Sequence, residues 1–295
     1  MKKGATLLLV VFIFLIFTGL PGQCASSNEY WPDESWRTST PEEQGIDSSK
    51  LVEALRDIES NNLEIRSLLI IRHGYLVTEC YRHPYTRDTA VNVKSVCKSI
   101  ISALTGIALR EKYLQNLDQK VLDFFPEYKL KGKSLNKDQI TLRHLLTMTA
   151  GLETPEDKLS QWRQSKDWVK FVLDQPEKAK PGEIFEYSTG LTHVMSALIT
   201  KTSGMSTLEF GRKYLFDPLG IKVHKWTQDS AGVYIGGGEL FLTPTDMAKF
   251  GYLYLHNGRW NGAQIVPEAW VKESTMNQQQ SGTYYGYWWW ISPQD

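Results

Sequence analysis

The chain has 295 residues with 33 basic and 33 acidic side chains, so no net field draws it to nucleic acid or to an anionic membrane surface. Its 41% hydrophobic and 22% charged content is that of a globular chain able to bury roughly three quarters of its unfolded surface. A disordered or nucleic-acid-binding protein is therefore not expected. The 10 Trp, 14 Tyr and 11 Phe can line a cleft, although most large aromatics are core packing.

In chain order, Lys2 and Lys3 precede an apolar run over 5–20, followed by Pro21, Gly22 and small residues over 24–27. That order predicts a secretory signal, with an uncleaved N-terminal anchor as the alternative, since the run is short of the roughly 20 residues that span a bilayer. Gln23 stands where a lipoprotein signal takes a small residue, which argues against acylation of Cys24. The expected organisation is a signal peptide or anchor over 1–26, a polar lead-in over 27–40 and one domain over 41–295. Its folded part is expected to be exported: periplasmic, extracellular or anchored to the outer face of the cytoplasmic membrane. Contact with a membrane is expected only through the N-terminal segment.

Leu51, Leu55 and Ile58 predict a helix over 47–59. The runs 67–72 and 75–81, separated by His73 and Gly74, predict a hairpin. Residues 96–111 are apolar nearly all round, which predicts a helix buried in the core. From about 114 to 223 the patterns are helical, over 141–148, 165–173, 191–202 and 208–214. Gly236, Gly237 and Gly238 read as a turn, because no βαβ unit surrounds them as a phosphate loop requires. A helix over 246–255 capped by Thr243 or Thr245 and a strand over 284–291 follow. The expected fold class is α+β, an antiparallel sheet flanked by helices with a mostly helical subdomain. Cys80 and Cys97 lack zinc-type spacing and read as free thiols; the compartment permits a disulfide, but no pattern brings them together.

The spacing S-x-x-K occurs at Ser95/Lys98 and at Ser134/Lys137. The second pair lies in a lysine-rich stretch and reads as a solvated loop. The first lies where an extended segment turns into the buried helix, which places Ser95 at the helix N-terminus with Lys98 one turn on, facing it. A helix N-terminus favours negative charge developing on a serine oxygen or an oxyanion, and first-turn N–H groups are expected to be free to donate. A lysine stripped of water is a better base than a solvated one. The bland alternative, an N-cap serine with a surface lysine, puts that lysine on a helix with almost no polar face. Tyr187, just before the helix over 191–202, is positioned to relay a proton to a leaving group, although a tyrosine there is more often packing. His144 and His193 fall in predicted helices and read as structural. Trp162, Trp168 and the three Trp over 288–290 are candidates to line an acyl pocket, which spacing does not distinguish from packing. The absence of GxSxG and HExxH motifs argues against an α/β-hydrolase and a metalloprotease.

The ordered segments PEEQGID (41–47), LLIIRHG (68–74), SVCKSIISALTGIA (95–108), HLLTMTAGL (144–152), PGEIFEYS (181–188), DPLGI (217–221), LTPTDMAKFG (242–251) and YGYWWW (285–290) resemble the serine β-lactamase and penicillin-binding-protein superfamily. The branch they resemble is that of class C-like esterases and aminohexanoate-oligomer hydrolases. The resemblance implies a β-lactamase/transpeptidase-like fold, Ser95 as nucleophile, Lys98 as its base, Tyr187 as proton relay and no cofactor or metal. It implies a small amide or ester as substrate, with a D-alanyl peptidase or β-lactamase as the alternative. Thr189 occupies the substrate-contacting position that is usually Asn in a Tyr-x-Asn motif; one hydroxyl replaces an amide, which disfavours β-lactam recognition. The family's Lys- or His-x-Gly strand does not occur before Asp295. A truncated member, active or a non-catalytic relic or binding module, is the expectation there.

Overall fold

The computed structural model describes residues 30–32, 35–128, 136–279 and 282–293. The expected leader over 1–26 and Ser134 lie outside them. Gly45, at φ 71°, opens the turn before helix α1 (Ser48–Ser60). The helix starts where predicted because the Asp47 carboxylate accepts the Ser49 N–H at 2.8 Å. Strands β1 (Ser67–Arg72) and β2 (Tyr75–Tyr81) form the expected antiparallel hairpin. His73 and Gly74 both take left-handed φ, 49° and 78°, as the tightest hairpin turns demand. Trp36 is buried, and the Arg37 carbonyl accepts the Leu76 N–H at 2.9 Å. Residues before Pro41 are thus part of the packed chain.

A second antiparallel sheet has the order β3 (Val91–Asn92), β5 (Leu240–Leu242), β4 (Lys225–Trp226). Its central pair joins the segment leading into Ser95 to one about 150 residues later. Helix α2 (Val96–Arg110) runs from this sheet into the core and is buried from Cys97 to Ala108. Burial of Ile100, Ile101, Leu104 and Ile107 contributes roughly 1.5–3 kcal/mol each. Gly106 has no space for a side chain, since a β-carbon would lie 2.3 Å from Trp270 Cγ.

The next helices are α3 (Leu142–Leu146), α4 (Leu159–Gln164), α5 (Trp168–Leu173), α6 (Thr189–Ser203) and α7 (Thr207–Gly211). Between 114 and 223 the named elements among the described residues are all helical. Helix α6 lies against α2, α3 and α5. Helix α8 (Pro244–Leu255) is capped by Thr243, whose hydroxyl accepts the Asp246 N–H at 3.2 Å, and is followed by the small hairpin β6 (Arg259–Trp260) and β7 (Ala263–Gln264) and by α9 (Glu268–Ser274). No helix among the described residues is long and apolar enough to cross a membrane.

Two expectations need correction. The strand over 284–291 is instead a tight reversal in which Tyr285 bridges to Trp290 and the Gly286 N–H donates to the Trp289 carbonyl at 2.8 Å. The three consecutive indoles are sent to different surroundings by the turn, with Trp288 at φ 63°, rather than to alternate faces of a pleat. Lys137, expected in a solvated loop, is buried on a short 3-10 turn over Lys137–Gln139.

Candidate active site

Strand β3 ends at Asn92, and Lys94 takes a left-handed φ of 51° before the helix begins. Such a conformation costs a non-glycine residue about 1 kcal/mol or more. It is held by the Asn92 side-chain oxygen, which accepts the Lys94 N–H at 2.9 Å. This turn places Ser95 at the N-cap of α2, where its hydroxyl makes no capping bond and the residue is exposed. The hydroxyl is therefore not committed to the helix.

Lys98, one turn on, is only 2% exposed. Its Nζ lies 3.3 Å from Ser95 Oγ and donates to the Gly237 carbonyl at 3.0 Å. The same nitrogen stands 5.0 Å from the ring centroid of Tyr187, which lies in the loop just before α6. Of the three residues singled out from the sequence, Lys98 thus has its amine beside both the Ser95 hydroxyl and the Tyr187 ring. Free first-turn donors do not materialise as expected. The N–H groups of Val96, Cys97 and Lys98 donate to the carbonyls of Val93, Lys94 and Ser95, because the chain enters the helix through a tight turn.

Gly237 was read from the sequence only as part of a turn. Its strand partner explains its presence here: β5 pairs with β3, and that pairing carries residues 236–238 alongside the start of α2. A β-carbon at Gly237 would lie 2.1 Å from Thr189 Cγ2, so the Thr189 methyl group packs directly on the turn. Thr189 is the first residue of α6, and its N–H donates to Glu156, which also accepts the Thr154 hydroxyl. A carboxylate at a helix N-terminus is favoured by the helix dipole. No spacing rule points to Glu156, whereas a glycine run before a strand is at least a sign of close backbone approach.

Around the Tyr187 ring, Trp290 stacks at 5.8 Å and Tyr285 meets it edge-on at 6.2 Å. Burial holds the Tyr285 phenol well above its ordinary range, with Tyr187 beside it adding to the rise. Trp162 and Trp168, the other candidates for an acyl pocket, pack on each other and on His193. His193 is bonded to Asp229 at 3.0 Å, both fully buried. Burial raises the Asp229 carboxyl, but the bonds from His193 and the Val233 and Ala231 N–H groups outweigh it and leave it below the usual range. His144 closes a capping box with Thr141. Both histidines are engaged structurally.

Cys80 and Cys97 are free thiols. Cys97 adjoins Lys98, but burial pushes its thiol up to about 12, and the thiolate is the reactive form. Iodoacetamide is expected to leave Cys97 unmodified in the native protein and to modify it after unfolding, as read by peptide mass mapping. Among the described residues, no group of three or more His, Cys, Asp and Glu side chains is placed to hold a metal ion. A cavity of about 1090 Å³ between Trp31, Lys222, His224 and Trp260 lies apart from the cluster, and none of Ser95, Lys98, Tyr187 or Gly237 lines it.

Residues 65–295 match the sequence profile described as Beta-lactamase. The chain belongs to the beta-lactamase family. A 6-aminohexanoate-dimer hydrolase of Paenarthrobacter ureafaciens is 23% identical, covering 85% of this chain and 71% of the relative. A beta-lactamase of Yersinia enterocolitica is 30% identical over 46% of this chain, which spans 34% of that enzyme's length. Among solved structures, the octameric penicillin-binding protein homologue from Pyrococcus abyssi has a TM-score of 0.62 at 21% identity, covering 82% of this chain and 64% of that one. These likenesses establish a β-lactamase/transpeptidase-like α+β fold within the serine β-lactamase and penicillin-binding-protein superfamily.

Proposed function

We propose that this beta-lactamase family member is an exported serine hydrolase that cleaves a small amide or ester through an acyl-enzyme on Ser95. The observation that carries the reading is the buried Lys98 amine, 3.3 Å from Ser95 Oγ. With its amine unprotonated, Lys98 accepts the Ser95 proton as the oxygen attacks the substrate carbonyl, forming the tetrahedral intermediate. Collapse breaks the bond to the leaving amine or alkoxide, and Tyr187 relays the proton to it. Water then adds to the ester on Ser95, its proton taken by the same groups in reverse, releasing the acid. Gly237 acts as a positioning residue, because its carbonyl fixes the direction in which the Lys98 amine points.

Export rests on the residue order over 1–27, and the domain proposed to carry the activity spans 41–295 with a helical subdomain over about 114–223. A D-alanyl peptidase or β-lactamase is the second reading, favoured by the relative named as a beta-lactamase. Thr189 argues against it, since the hydroxyl offered to a substrate amide replaces the usual carboxamide. Hydrolysis of nitrocefin in preference to p-nitrophenyl esters would select that second reading.

A fluorophosphonate probe tests the proposal directly. The expected adduct lies on the tryptic peptide 95–98, and labelling that persists undiminished in Ser95→Ala would refute it. Gly237→Ala is expected to destabilise the protein by about 1–3 kcal/mol through overpacking against Thr189. It should also lower turnover on the order of 100-fold by moving the Lys98 amine. Ester kinetics set beside a thermal melt check both numbers.

A further inference from the structure

Helix α6 is buried from Gly190 to Ile199, yet Thr192, His193 and Ser196 bring polar side chains into that stretch and are fully enclosed. With Thr189 they take positions i, i+3, i+4 and i+7, one face of the helix. Buried polar groups cost free energy unless they are bonded, and this face meets a single segment, 229–237. The Ser196 hydroxyl donates to the Tyr234 carbonyl at 2.7 Å. The His193 imidazole is bonded to the Asp229 carboxylate at 3.0 Å; an ionised carboxylate only accepts, so Nε2 carries the proton. Between these two bonds the backbones close up, since a β-carbon at Gly236 would lie 2.1 Å from the Thr192 carbonyl oxygen.

Asp229 also organises the segment it belongs to. Its other oxygen accepts the Ala231 and Val233 N–H groups at 2.8 Å each, which closes a turn. The arms of that turn are joined by the bridge between Gln228 and Tyr234, and the Ile235 N–H donates to the Thr227 carbonyl at 2.9 Å. The Trp226 indole holds the Ile235 carbonyl at 2.9 Å. Two residues further on, the Gly237 carbonyl accepts the Lys98 amine.

We propose that His193 and Asp229 are positioning residues: their bond latches the turn over 229–233 to α6 and so sets where the Gly237 carbonyl holds the Lys98 amine. The proposal rests on the acyl-enzyme reading. An apolar pair of similar volume would fill the core as well, whereas a hydrogen bond is directional and fixes the register of the segment along the helix. Tyr187 and Thr189 stand at the start of that same helix, so the latch refers both sides of the site to one rigid element. Displacing a catalytic group by about 1 Å costs on the order of 100-fold in rate.

Three variants of the full chain test the latch. His193→Leu removes the bond, His193→Gln keeps a donor for Asp229, and Asp229→Asn keeps an acceptor for the turn while turning an amide donor on the Nε2 proton. Hydrolysis of p-nitrophenyl acetate is measured well below every melting temperature. In His193→Leu, kcat is expected to fall about 10- to 100-fold with KM within about twofold of the parent. His193→Gln should return kcat to within about threefold, and Asp229→Asn should lower it at least about threefold. Val266→Ala, a cavity at a fully buried position after β7, should lower the melting temperature and leave kcat within about twofold. An unchanged kcat in His193→Leu, or in Asp229→Asn where His193→Leu does not fold, overturns the proposal. An equal loss of kcat in Val266→Ala does the same, because it marks a purely structural effect. Turnover that survives in Ser95→Ala instead overturns the acyl-enzyme reading.

Hydrogen exchange reads the latch without turnover. Amides over 227–238 should exchange at least about tenfold faster in His193→Leu or Asp229→Asn, while those over 100–108 in α2 keep their parent rates. Equal rates over 227–238, or an acceleration shared equally by 100–108, overturn the proposal even for a chain that hydrolyses no ester.

Discussion

Replacing Ser95 with alanine is expected to abolish turnover while leaving the fold as stable as before. Loss of a nucleophile that acts in concert with its base costs on the order of 10⁴ to 10⁶ in rate. The stability expectation follows from the cap geometry. An N-cap serine normally stabilises its helix through its side chain, and truncation then costs about 1 kcal/mol. Here the Ser95 hydroxyl makes no such bond, so Ser95→Ala should stay within about 0.5 kcal/mol of the parent. Steady-state ester kinetics and a denaturant titration read the two quantities separately. A stable variant with unaltered turnover would remove Ser95 from the chemistry, and an unstable one would make it a cap after all.

Lys98→Met should separate function from stability more sharply. The methionine fills much of the same space without the amine, and removing a general base is expected to lower kcat by about 10²- to 10⁴-fold. Two stability effects oppose each other. The Gly237 carbonyl loses its donor, which costs about 1–3 kcal/mol if it stays buried and unpaired. Against this, the parent must take an amine out of water, and breaking even with apolar replacements is the common outcome for buried charged groups. The expected melting temperature is equal to or above that of the parent. A fall of more than a few degrees would show that the lysine serves the core, and a kcat within twofold of the parent would show that it does not serve the chemistry.

The hairpin and α2 were legible because their signals are local: a His-Gly turn between two β-branched runs, and an apolar pattern with no polar face. Ser95 and Lys98 share one helix, so a spacing of three residues was enough to bring them together. Tyr187 was a candidate from its place just before a helix, but only the resemblance of ordered segments separated it from a packing tyrosine. Gly237 and Glu156 were not legible in that role. Gly237 reaches Lys98 through strand pairing across about 150 residues, and Glu156 reaches Thr189 through a loop contact. The aromatic run over 285–290 misled in the other direction. Its composition is that of a strand, but Gly286 seated on Ser274 and the left-handed Trp288 bend it back on itself.

The pairing of β3 with β5 also has a consequence for biosynthesis. The turn that fixes the Lys98 amine is translated about 140 residues after the lysine, which at roughly 5–20 residues per second is a delay on the order of 10 seconds. Until then a nascent chain carries the proposed nucleophile without a fixed position for its proposed base, and distant pairings of this kind are slow to close. On the proposed mechanism an unfinished polypeptide would thereby be kept from attacking esters and amides around it, and reactivity would arrive only with completed tertiary structure.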